Sequence, residues 1–93
     1  MSVRELGSQE AQHDSGAILR SAGREAMQLE YGGHTLTLDV DRGVGRDLFY
    51  LSTTLRWDDG AEVPRTFGDK IPSIIREIEQ FWGSEPEFRT LSR

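Results

Sequence analysis

A chain of 93 residues with a formal net charge of −5 holds one domain with a single core and no more. That balance lacks the basic footprint that direct nucleic-acid binding needs, and the absence of cysteine removes disulfides, thiolate chemistry and Cys-based zinc sites. No apolar run reaches the ~18 residues of a membrane span and the N-terminus has no apolar signal segment, so a cytoplasmic protein is the plain expectation.

Residues 1–16 carry Val3, Leu6 and Ala11 among Ser, Gln, Glu and Gly, with no periodic apolar face. They read as a flexible leader ahead of a single α+β domain over residues 17–93. Ala17-Ile18-Leu19-Arg20-Ser21-Ala22 reads as a short first strand or an extended approach, turned by Gly23-Arg24. Next comes a hairpin. Met27, Leu29 and Tyr31 alternate with polar residues, Gly32-Gly33 follows, and Leu36, Leu38 and Val40 alternate again. Closing that loop sets Tyr31 opposite His34, Leu29 opposite Leu36 and Met27 opposite Leu38, which places the large apolar residues on one face.

Residues 41–46 form a glycine-punctuated connection without the spacing of a phosphate loop. Asp47 to Trp57 is rich in aromatic and β-branched residues and predicts one long strand ending at the turn Asp58-Asp59-Gly60. Ala61 to Gly68 leads on as a loop or short edge strand. In the stretch that follows, Ile71, Ile74, Ile75, Ile78, Phe81 and Trp82 make one stripe on a 3.6-residue helix, with Arg76, Glu77, Glu79 and Gln80 off it. Asp69 suits its N-cap, Pro72 its first turn and Gly83 its C′ position. The tail 84–93 is polar apart from Phe88 and Leu91, which would anchor it. The fold expected is a two-layer α+β domain: a small antiparallel sheet of three or four strands packed against one C-terminal helix.

Nothing in the chain has the pattern of an active site. His13 and His34, the only histidines, are far apart in the chain, and no serine has a nucleophile-elbow context. No catalytic residue, metal or cofactor is expected, and the protein reads as a non-enzyme. Trp57 and Trp82 suit core packing at one end of the sheet–helix interface. The surface that suits a partner is an acidic one, made of Asp39, Asp41, Asp47, Asp58, Asp59 and Glu62, with Trp57 as an aromatic anchor. Tyr50 joins it if its sheet face is uncovered.

Several segments together resemble the small immunity proteins of bacterial polymorphic-toxin systems, in particular the immunity protein 74 family. They are Ile18-Leu19-Arg20, the hairpin Gln28 to Leu38, the strand Tyr50 to Asp58 with its Trp-Asp ending, and Ile74-Ile75-Arg76-Glu77-Ile78. The resemblance implies a non-enzymatic inhibitor that binds and blocks a cognate toxin domain in the cytoplasm. An acidic inhibitor would associate quickly with a basic toxin such as a nuclease. Two readings of other classes stand beside it: a homo-oligomeric scaffold or ligand-binding module, and an acidic nucleic-acid mimic directed at a basic target.

Overall fold

The structure, a computed structural model, describes residues 3–43, 46–52 and 55–91. Seven strands run in the order of the chain across a single sheet: β1 (Val3–Gly7), β2 (Glu10–His13), β3 (Ile18–Ser21), β4 (Ala26–Tyr31), β5 (His34–Gly43), β6 (Arg46–Ser52) and β7 (Glu85–Leu91). The first six make an antiparallel meander, and β7 returns parallel to β6. Two helices, α1 (Arg65–Gly68) and α2 (Ile71–Phe81), form the crossover between β6 and β7.

The β4–β5 hairpin has the register that its alternation predicts, with Tyr31 opposite His34, Leu29 opposite Leu36 and Met27 opposite Leu38. Gly32 and Gly33 take φ of 59° and 83°, left-handed values that a two-residue hairpin loop requires. From that hairpin the apolar rows extend sideways through the sheet. Ala11, Leu19, Leu29 and Leu36 stand opposite one another across β2 to β5, and Val40 and Phe49 continue the face through β5 and β6. All are buried, as are Ile71, Ile74, Ile75 and Ile78 on α2, whose stripe lies against this inner face. Trp57 and Phe67 close the hairpin end of the core, in a run of stacked rings: His34 on Trp57, Trp57 on Phe67, and Phe67 on Tyr31.

A three- or four-stranded antiparallel sheet is therefore too small, and the sheet is mixed rather than wholly antiparallel. The extra strands come from segments with few apolar residues. The supposed flexible leader contributes β1 and β2, with Ala11 fully buried and Val3 packed against the core. The polar tail contributes β7, where Phe88 stacks on Phe49 with centroids 5.7 Å apart. The long strand expected over residues 47–57 stops at Ser52, and residues 53–54 lie outside the described residues. Arg56 then forms a single bridge to Glu62. The N-cap of α2 is one residue later than the proposed Asp69: Lys70 holds that position and makes no side-chain cap bond.

Because Ala11 has no exposed surface, a charge placed there would be buried without a partner. Ala11→Asp is expected to lower unfolding free energy by about 3–5 kcal/mol in urea titration. Near-normal stability would show that β1 and β2 lie outside the cooperative core.

Candidate functional site

Helix α2 ends in a Schellman turn that shapes the surroundings of its last residues. Gly83 takes φ 84°, its N–H donates to the Gln80 carbonyl at 3.0 Å, and the Ser84 N–H donates to the Glu79 carbonyl at 2.8 Å. The chain reverses there into β7. This end of the helix faces the β1–β2 turn and the beginning of β6, leaving a cleft of about 480 Å³. Glu5, Arg42, Asp47, Glu79, Phe81 and Trp82 are in its wall.

Glu79 is the unusual member. It is 1% exposed, the one buried charged or polar residue among those described, and its Oε1 has no hydrogen-bond partner. Burial, then a hydrogen bond with Asp47 and the repulsion of the Asp47 charge, raise its pKa from 4.5 to about 8. Arg42 opposes the shift, but its guanidinium donates to Ser21 Oγ at 2.9 Å. At neutral pH the protonated form of Glu79 is thus favoured, and it donates to the Asp47 carboxylate.

The sequence contains the signal for this burial. Glu79 is not off the apolar stripe as its type suggested: it stands four residues after Ile75 and eight after Ile71, on the buried face of the helix. Asp47 likewise shares strand parity with buried Phe49 and so belongs to the inner face.

The predicted acidic surface is divided by the fold. Asp39 and Asp41 are exposed on the outer face of the sheet, two residues apart, where the Tyr50 hydroxyl donates to Asp41 Oδ2 at 2.5 Å. That bond raises the Tyr50 pKa above its ordinary value. Asp58 joins them at one end: its two oxygens accept the Thr37 N–H at 3.0 Å and the Thr37 hydroxyl at 2.6 Å. Asp59 pairs with His34 Nδ1 at 2.8 Å, and the Ala61 N–H, followed by His34, holds its pKa below the usual carboxylate range. Glu62 is exposed opposite Arg56, with 3.9 Å between their charged atoms. Asp47 belongs to the cleft on the other side of the sheet. Trp57 is buried to 4% exposure between His34 and Phe67, so it packs the core and is not an exposed anchor.

The outer face carries an ordered charge pattern beyond those carboxylates. Arg20 donates to Glu10 at 3.1 Å and to Glu30 at 2.5 Å across three strands, and those two partners, Glu30 first, raise its pKa further. At the opposite edge Arg46 pairs with Glu87 at 2.6 Å. His13, expected in the leader, sits on the inner side. Its Nδ1 accepts the Ser15 N–H, so Nε2 carries the proton and donates to Glu77 Oε2 on α2 at 3.0 Å.

Among the described residues no cluster of three or more His, Cys, Asp or Glu side chains is placed to hold a metal ion, and no helix is long and apolar enough to cross a membrane. Comparison with protein-family models, with curated proteins and with solved structures returned no match.

Raising the folded-state pKa of Glu79 above its unfolded value means that the folded chain holds the extra proton between pH 4.5 and about 8. Its contribution to stability is full below 4.5 and is lost as pH rises through about 8. Glu79→Gln should remove that loss, so the variant gains on the wild type by on the order of 2–4 kcal/mol between about pH 5 and pH 8.5 in urea unfolding. A constant difference across that range would contradict a buried, protonated Glu79.

Proposed function

We propose that the protein is a non-enzymatic binding module of the immunity type, which neutralises a cognate bacterial toxin domain in the cytoplasm by covering it. The observation that carries this reading is the uncovered outer face of the sheet. Its centre holds Tyr50, Asp39 and Asp41, with Asp58 at one end, and it is flanked by the Glu10–Arg20–Glu30 and Arg46–Glu87 pairs. Seven strands at ~4.8 Å spacing span about 29 Å, the scale on which one folded domain meets another.

Chemistry favours a basic partner. Arg20 and Arg46 are paired with carboxylates and Arg89 stands opposite Tyr50 on β7, while Asp39 and Asp41 present exposed acidic oxygens beside that tyrosine, a residue type enriched in interface hot spots. Such a face raises the association rate with a positively charged toxin such as a nuclease. Because the side chains stand on paired strands, little conformational freedom is lost on binding.

The test is co-purification of the tagged protein with the product of the gene immediately upstream, together with growth rescue of cells expressing that product. A tight complex with rescue is expected, and the double variant Asp39→Lys, Asp41→Lys should weaken it ~100-fold, about 2.7 kcal/mol, without lowering the melting temperature. Absence of both complex and rescue overturns the reading. A homodimer closed through this face would instead favour the scaffold alternative.

A further inference from the structure

We propose that the cleft at the C-terminal end of α2 is a binding site for a primary ammonium or guanidinium group, with Glu79 and Asp47 as its counter-ions and Phe81 and Trp82 in its wall. This inference is independent of the outer-face reading, because the cleft opens on the helix layer.

The charges facing the cleft are Glu5 from β1, Arg42 from β5, Asp47 from β6 and Glu79 from α2. Three are acids and one is a base, so the cleft keeps an acidic balance even with Arg42 charged and Glu79 protonated, which favours a cation as ligand. Its donor character follows from Glu79 Oε1, a buried acceptor with no partner in a fold where such atoms are rare. An ammonium offers three donors and a guanidinium five, with no acceptor to oppose the carboxylates. A bare metal ion fits less well, since among the described residues no group of three or more ligating side chains is suitably placed. Phe81 is 37% exposed at the cleft wall, an unusual amount for a large apolar residue at the end of a buried stripe. An aromatic face beside a desolvated carboxylate is the environment in which cation–π attraction is strongest.

A volume of about 480 Å³ admits the end of one long side chain or a small amine, and not a folded domain. Glu79 is one of the residues lining the cleft, and its Oε1 is buried without a partner. The terminal torsion of a glutamate is broad, so a turn about it brings the oxygen to an incoming donor. Cation binding favours the ionised carboxylate, so the proton held by Glu79 leaves to solvent as the ligand enters. One proton of Glu79 is thus exchanged for one bound cation, and the net charge of the site is unchanged.

The same chemistry can come from a free amine or from a lysine or arginine of a protein partner, and the experiment separates the two. The full chain is titrated calorimetrically at neutral pH with n-butylammonium and with ethylguanidinium, in two buffers of different ionisation enthalpy. Saturable binding with a dissociation constant of about 1 mM is expected for such fragments, with a heat that depends on the buffer because a proton is released. Glu79→Gln should weaken binding at least ~10-fold and abolish the buffer dependence, Asp47→Asn should weaken it similarly, and Phe81→Ala should weaken it severalfold. Both probes failing to saturate at about 50 mM overturns the proposal, as does binding that Glu79→Gln and Asp47→Asn leave unchanged. If the probes bind and Glu79→Gln also weakens the complex with a toxin partner, the cation is a side chain of that partner. If the probes bind and such a complex is unaffected, it is a free amine.

Discussion

One helix must cover the inner face of a seven-stranded sheet, and much of the molecule follows from how it does so. An eleven-residue helix is about 16 Å long and 10 Å across, whereas the sheet is about 29 Å wide. The isoleucine stripe of α2 therefore seals only part of the apolar surface. At the hairpin end the remainder is closed by Trp57 and Phe67, carried on the segment that precedes α2. The helix itself lies against β1, β2 and β7, and Ala11 on β2 is fully buried. Where the helix stops, its cover stops too. That boundary is the cleft holding Glu79 and Asp47, so the buried Glu79 carboxyl marks the limit of what one helix can shield.

The sheet's two faces consequently differ in kind. Inside, cross-strand neighbours are apolar and the energetics are those of burial. Outside, neighbours are joined by ion pairs and hydrogen bonds among Glu10, Arg20 and Glu30, between Tyr50 and Asp41, and between Arg46 and Glu87. Such exposed pairs contribute little to stability. Their effect is to fix side-chain positions, which gives the face a defined pattern of charge without a covering layer.

The elements with dense periodicity were legible in the sequence, and those without it were not. The β4–β5 hairpin and α2 each repeat an apolar residue often enough to set period and face together. Strands β1, β2 and β7 carry one or two core residues each, such as Ala11 or Phe88, and their pairing is imposed by neighbouring strands rather than by their own composition. The candidate site was obscured for a related reason. A carboxylate at an apolar helix position reads as an interruption of the stripe until the opposing Asp47 is known, and those two residues are 32 positions apart (79 minus 47). The acidic residues on β5 were recognisable as exposed. Trp57 was recognisable as a core residue, as its burial shows, but its alternative role as an exposed anchor was not excluded until its cover by Phe67 and the imidazole of His34 was known.

The strand order also has a kinetic meaning. Each strand from β2 to β6 pairs with its immediate predecessor, so the meander closes through short loops with small entropic cost. Only β7 must find a partner far back in the chain, with Glu85 opposite Arg46. During synthesis the meander precedes the helix, and its apolar inner face waits for α2 to emerge. Until then Leu19, Leu29 and Phe49 stand on an unprotected surface, and the interval between β6 and α2 is the period in which the nascent chain is most open to sticking to other chains.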